Sequence, residues 1–229
     1  MIGIIGAMKI EVSAINGLMT DKKEKEIAGV TFTEGKLYGK DIVTAVCGIG
    51  KVAAAICTQA MIMEYKPECV INTGVGGSLS AKLGICDVVI AESLVQHDMD
   101  TTPIGDVPGY ISGLDTVDMS ADKSVSDRLF ASAEMTGKTK VFKGKIASGD
   151  QFIADKSKKD FIVSVFGADV CEMEGAAIAQ TCCSNSVPFG VVRAISDCAD
   201  GSSHMDYTQF LPLAAENAAK IIENFVKSY

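Results

Sequence analysis

The chain has 229 residues, 48% of them hydrophobic, and a formal net charge of −8 at pH 7. That length suits one large domain or two small ones whose core needs no covalent staples, and the apolar content argues against disorder. The negative charge argues against a nucleic-acid backbone as partner, and no apolar run approaches the length of a membrane span.

The first residues lack a basic n-region and an A-x-A-like cleavage site, so no signal peptide is expected and the expected compartment is the cytoplasm. Eight cysteines stand at 47, 57, 69, 86, 171, 182, 183 and 198, mostly inside apolar runs. None forms a C-x-x-C pair, and the histidines are His97 and His204 alone. A zinc site is therefore not expected, and the thiols read as buried small hydrophobes.

In chain order, Ile2 to Ala7 reads as a buried strand ended by Gly6, and Lys9 to Met19 as a helix. VTFTEGKLYGKDIVTAVCGIG predicts strand, turn, strand, with Gly39-Lys40 at the bend. An Ala-rich helix fits Lys51 to Tyr65, stopped by Pro67. ECVINTGVGG is a strand running into a glycine loop, and DVVIAESLVQHD is another strand. Residues 98–118 hold Pro103, Pro108 and three glycines and read as a long loop, of the kind that is often functional. A helix is expected over Asp122 to Thr136. KVFKGKIASGD passes from strand to loop, and Asp155 to Phe166 is helical. DVCEMEGAAIAQTCC turns from strand to helix near Glu174. PFGVVRAISDCAD is a strand ending in a polar cluster, and Thr208 to Val226 is an amphipathic helix. Strands alternate with helices, which predicts an α/β fold: a single domain over 1–229 with a central mixed, twisted β-sheet flanked by helices.

In such sheets ligands bind beyond the carboxyl ends of strands. Small residues and carboxylates gather at those ends here, from Gly6-Ala7-Met8 to Ser196-Asp197. A dinucleotide fingerprint needs G-x-G-x-x-G across the first turn, and GIIGAM lacks that spacing. GVGGSL at 74–79 follows a strand but lacks the lysine of a phosphate-binding P-loop.

Pattern alone favours ordinary roles for several residues. Glu11 reads as a solvent-facing helix acid. Met8, Ile49, Phe152 and Met173 read as core. Glu172 and Glu174 flank Met173, and strand alternation would put both on one face. Arg193, inside an apolar strand, needs a partner if buried.

Six segments in order change that reading. GIIGAMKIEV, GIGKVAAA, NTGVGG, SGDQFI, EMEGAAIA and VVRAISDCAD together resemble the 5'-methylthioadenosine/S-adenosylhomocysteine nucleosidases of the nucleoside-phosphorylase fold, over nearly the full length. The resemblance implies hydrolysis of an N-glycosidic bond in methionine salvage, releasing adenine and a 5-thio-substituted ribose, with water as nucleophile and no metal or organic cofactor. Its partner would be a small-molecule adenine nucleoside.

The resemblance also assigns roles. Glu11 would activate the water, and Asp197 would protonate adenine N7. Glu174 would hold ribose hydroxyls, with Met173 against the sugar and Glu172 beside it. Phe152 would stack on the base, Ile153 would offer it backbone hydrogen bonds, and Ser196 would steady the aspartate. Arg193 would join the network around the water. Met8, Ile49, Val75 and Gly76 would form pocket wall, and Tyr207 would cover the 5'-substituent. Val75 replaces a common serine and Tyr207 a common phenylalanine. The resemblance further implies a homodimer with the 98–118 loop near the partner's pocket. Chemically the set is coherent: a placed acid or base contributes roughly 10²–10⁴-fold, and sites built around hydroxyls reject analogues that lack them. A nucleoside phosphorylase of the same fold, or a non-catalytic adenine-nucleoside-binding protein, are the competing readings. The first wants clustered positive charge for phosphate, and the chain has only two arginines, Arg128 and Arg193.

Overall fold

A computed structural model describes residues 1–137, 139–199 and 203–229, the side chains of 203–206 excepted. The elements run β1 (Ile2–Gly6), α1 (Lys9–Leu18), β2 (Thr20–Ile27), β3 (Val30–Leu37), β4 (Lys40–Val46), α2 (Lys51–Tyr65), β5 (Cys69–Ser78), β6 (Val88–Gln96), β7 (Met119–Ser120), α3 (Lys123–Glu134), β8 (Val141–Ser148), α4 (Lys156–Phe166), β9 (Val170–Glu172), α5 (Gly175–Ser184), β10 (Phe189–Asp197) and α6 (Ser203–Ser228).

All strands join one mixed sheet, and half of it closes on itself. β5 pairs with β10, β10 with β6, β6 with β8, β8 with β9, and β9 returns to β5. From β5 the sheet then continues through β1, β4, β3 and β2. β1 accompanies β5 only as far as Ile5↔Asn72, and β9 joins it only at Gly77↔Cys171. Between those points Thr73 to Gly76 pair with β10 alone. The vacated edge of β5 opens onto the site described below.

Two cores flank the sheet. Alternation along β1 sends Ile2 and Ile4 to one and Ile5 to the other, as strand geometry requires. The Ile5 side is covered by α2 and α5, which bring Cys57, Met61, Ile178 and Cys182. The Ile4 side is covered by α1, α3 and α6, which bring Ile15, Leu129, Ile222 and Phe225. Asp122 caps α3 by accepting from Val125 N at 2.9 Å, and Asp155 caps α4. Cys47, Cys57, Cys69, Cys171 and Cys182 are buried free thiols. Burial pushes the Cys69 thiol up to about 11 and the Cys57 thiol up to about 12.

The α/β sheet and its helices fall largely where the pattern placed them. The expected glycine loop at 74–77 is instead the end of β5, which stays in strand to Ser78, and a short unexpected strand, β7, precedes α3. Four other elements differ. β2, TDKKEKEI, is a strand with no apolar alternation, and it pairs with β3 at the end of the sheet. The β3–β4 bend is Tyr38-Gly39, both left-handed at φ 51° and 79°, one residue before the expected Gly39-Lys40. The last helix begins at Ser203 instead of Thr208 and runs through Pro212. The long loop carries a 3-10 turn at Thr102–Ile104 and a bridge from Ile111 to Thr116. Asp200 and the side chain of His204 lie outside the described residues.

Candidate active site

A cavity of about 330 Å³ lies at the carboxyl ends of β1, β5 and β10, with the end of β9 entering its wall. Met8, Glu11, Ile49, Val75, Gly76, Phe152, Ile153, Glu172, Met173, Glu174, Ser196, Asp197 and Tyr207 all line it. Arg193 does not; it lies behind the wall.

Glu11 sits in the first turn of α1, where its carboxylate turns back to the end of β1. Oε2 accepts from Ala7 N at 2.7 Å and from Met8 N at 2.9 Å. Oε1 accepts from Val75 N at 3.2 Å, on the edge of β5 that β1 has vacated. Glu11 is thus not the exposed helix acid that pattern alone favours: it is 3% exposed. Burial raises its pKa above the ordinary value, against the Met8, Val75 and Ala7 N–H groups and the Arg193 charge, which lower it. A buried carboxylate held nearer neutrality is a competent proton acceptor. Gly74 makes room for it, because a Cβ there would stand 2.6 Å from Glu11 Oε1 and 3.6 Å from Arg193 Nη1.

Glu172 and Glu174 do not share a strand face. β9 stops at Glu172, and Glu174 is the N-cap of α5 with φ −131° and ψ −37°. Glu172 is committed to the scaffold. Its carboxylate accepts from Ser148 Oγ, Arg193 Nη2, Glu174 N at 3.1 Å and Gly175 N at 2.7 Å. Burial would raise its pKa, but the Arg193 charge and the Ser148, Arg193 and Gly175 hydrogen bonds outweigh it, and the net shift is downward. Glu174 accepts from Gly50 N at 2.7 Å. Burial and the neighbouring Glu172 and Glu11 carboxylates push Glu174 up to about 7, against the Gly50 N–H and the Arg193 charge. Gly50 has φ 97°, a conformation natural to glycine.

Arg193 has the partner its burial demanded. Its guanidinium, 2% exposed, donates to Glu172, to Asn72 Oδ1 and to Val192 O at 2.9 Å. Asn72 in turn donates to Ile5 O at 2.9 Å. This buried relay ties β1, β5, β9 and β10 together behind the cavity.

Asp197 ends β10, just past a register shift between Ile195 and Asp197. Its Oδ1 accepts from Ser196 Oγ at 2.8 Å and its Oδ2 from Ala199 N at 3.0 Å. Across the cavity mouth, Phe152 and Tyr207 meet edge to face at 5.6 Å, and Tyr207 Oη donates to Met8 Sδ at 3.3 Å. Phe152 and Ile49 are wall and not core, at 49% and 62% exposed.

Gly77, Gln151 and Cys171 also line the cavity; Gly77 and Cys171 belong to the strand-end set but carry no assigned role in the sequence reading, and Gln151 lies in the SGDQFI segment. Gln151 and Gly77 border chosen residues, whereas Cys171 carries no signal that separates it from seven other cysteines. Asn72 was missed, and Ser148 stands among the strand-end residues without an assigned role; each is a buried polar residue at the end of an apolar run, which is the available signal. Among the described residues no group of three or more His, Cys, Asp or Glu side chains is arranged to hold a metal ion.

This geometry accords with comparisons across known proteins. The sequence model of the phosphorylase superfamily matches residues 1–227. A 5'-methylthioadenosine/S-adenosylhomocysteine nucleosidase of Haemophilus influenzae is 43% identical over 222 residues, covering 96% of each chain. The Neisseria meningitidis nucleosidase of that name, solved with methylthio-immucillin-A, superposes with a TM-score of 0.96 at 36% identity, over 100% of this chain and 99% of that one. A futalosine hydrolase of Helicobacter pylori superposes with a TM-score of 0.95 at 36% identity, over 100% of this chain and 97% of that one. The chain belongs to the phosphorylase superfamily and, within it, to the 5'-methylthioadenosine/S-adenosylhomocysteine nucleosidase family.

Proposed function

We propose that the protein hydrolyses the N-glycosidic bond of 5'-methylthioadenosine and S-adenosylhomocysteine, releasing adenine and the 5-thio-substituted ribose. The observation that carries this reading is the convergence of three buried acids, Glu11, Glu174 and Asp197, on one nucleoside-sized cavity. Cleavage of the C–N bond builds positive charge on the sugar and negative charge on the leaving base. Asp197 protonates the base at N7 and makes it a better leaving group. Glu11 accepts a proton from the attacking water, and Glu174 holds the ribose hydroxyls. Phe152 stacks on the adenine. Glu172 in the wall and Arg193 behind it fix the strand ends that carry these groups.

Water is favoured over phosphate as nucleophile. Among the described residues the cavity lining contains no Lys or Arg, and the nearby guanidinium is committed to Glu172 and Asn72. A phosphate anion would meet carboxylates without compensating charge. The exposed apolar side chains of Ile49, Val52 and Ile56, with Ile104 and Val107 of the 98–118 loop, support pairing with a second copy of the chain through that loop.

The test is adenine release from a panel of methylthioadenosine, S-adenosylhomocysteine, 5'-deoxyadenosine and a futalosine-type nucleoside, with and without phosphate. Hydrolysis without phosphate is expected, and Glu11→Gln and Asp197→Asn should each lower turnover at least about a hundredfold with the fold intact. A phosphate requirement with ribose 1-phosphate as product would overturn the reading.

A further inference from the structure

The carboxyl group of Asp197 is oriented by a peptide that lies outside the sheet. The ladder between β5 and β10 ends at the Asp197↔Gly77 rung. β5 runs one residue further, to Ser78, and the chain after Asp197 continues to Cys198 and Ala199 beyond the end of β10. Two parallel strand ends therefore present carbonyls beyond their last shared rung. One ammonium group spans them: Lys159 Nζ donates to Ser78 O at 2.9 Å and to Cys198 O at 2.6 Å.

The second of these contacts bears on Asp197. The carbonyl of Cys198 and the N–H of Ala199 belong to the same peptide unit, which is planar and rigid. That N–H is the one donated to Asp197 Oδ2, at 3.0 Å. Fixing the oxygen at one end of the plane fixes the direction of the N–H at the other. A cation on the oxygen also polarises the unit and strengthens its donor.

Lys159 is itself well anchored. It stands in the first turns of α4, behind the Asp155 cap. Ile162 and Phe166 of that helix are buried in the same apolar cluster as Ile153, Cys171 and Ala199. The segment entering α4 carries Phe152 and Ile153, which face the cavity. One helix thus holds both the wall assigned to the base and the peptide that aims the acid.

We propose that Lys159 is a positioning residue for the proton transfer, acting on Asp197 through the Cys198–Ala199 peptide. The proposal rests on the reading of Asp197 as the acid, so its test must separate the two. Lys159→Met keeps the stem and removes the ammonium. The measurement is kcat and KM for methylthioadenosine in the wild type, Lys159→Met, Asp197→Asn and the double variant.

Lys159→Met should lower kcat about tenfold and leave KM within about twofold, because a misaimed group costs rate before it costs binding. In the Asp197→Asn background the same substitution should change kcat by less than about twofold, since a residue acting through another loses its effect when that other is gone. Lys159→Arg, which keeps a cationic donor, should restore most of the rate. Equal losses in the two backgrounds, or a wild-type kcat for Lys159→Met, would overturn the proposal. Near-wild-type turnover by Asp197→Asn alone would instead remove the acid assignment beneath it. Should a thermal melt show Lys159→Met unfolded, Lys159→Gln passes through the same cycle with the same criteria.

Discussion

Gly74→Ala tests the placement of Glu11 without replacing any cavity-lining residue. Gly74 is not among the residues with positive φ, so the backbone tolerates alanine. The added methyl would stand 2.6 Å from Glu11 Oε1 and 3.2 Å from Glu11 Cδ, where ordinary contact begins near 3.4 Å. The carboxylate must therefore recede by about 0.8 Å. Its bond to Val75 N is already 3.2 Å long and is the first to fail. A hydrogen bond to a charged group contributes about 1.5–3 kcal/mol, a loss that a typical fold with about 5–15 kcal/mol survives. The rate is more sensitive, because a misplacement near 1 Å costs up to about a hundredfold. Adenine release at saturating nucleoside should thus fall roughly ten- to a hundredfold, while a melt shows a folded protein. Gly84→Ala is the control, since its methyl would meet only Asp87 Oδ2, at 3.6 Å. A folded Gly74→Ala protein with kcat within about twofold of wild type would refute the argument that Glu11 works from this position.

Two further predictions concern the buried charges. Glu172→Gln leaves the Arg193 guanidinium without its counter-charge at 2% exposure. Urea unfolding should show a loss of about 3–5 kcal/mol at unchanged slope, and a loss under about 1 kcal/mol would mean that the pair is not structural. Glu174 titrates at about 7 in the folded chain against an ordinary 4.5. Between those values the folded state binds a proton that the unfolded state has released, so stability from this group falls as pH rises through the window. Glu174→Gln should therefore raise the Tm at pH 8 and change it little at pH 4.5; equal shifts at both would contradict the shifted carboxyl.

Where composition and a breaker or a cap mark the ends, elements were legible from the residues. α2 occupies the expected Lys51–Tyr65, and Asp155 marks the start of α4. β2 was illegible because all but its last residue are exposed; it gains its order from pairing with β3 and carries no inward face to write a pattern. Such a charged strand also suits a sheet edge, where it discourages pairing with other chains. Tyr38 at φ 51° gave no turn signal, because aromatic residues rarely mark that conformation. In the site, the burial of Arg193 and its need for a partner followed from an arginine in an apolar strand. The identity of that partner did not, since Glu172 and Glu174 differ only in which one follows the end of β9. Glu11 is the extreme case. Helix pattern places it in solvent, and only the vacated edge of β5, a tertiary feature, supplies the third N–H that holds it inside.

The free cysteines have a practical consequence. Cys57 on α2 and Cys182 on α5 belong to the same apolar cluster and have no exposed surface. Burial also holds both thiols protonated well above their ordinary range. The thiolate is the species that attacks an alkylating reagent, so the closed molecule is doubly shielded at these positions. Modification requires that the packing around them open, and where reclosure outruns labelling the observed rate reports the free energy of that opening. The protein thus carries its own reporters of core opening on the face covered by α2 and α5, readable by the masses of the peptides that hold Cys57 and Cys182 and without any introduced probe.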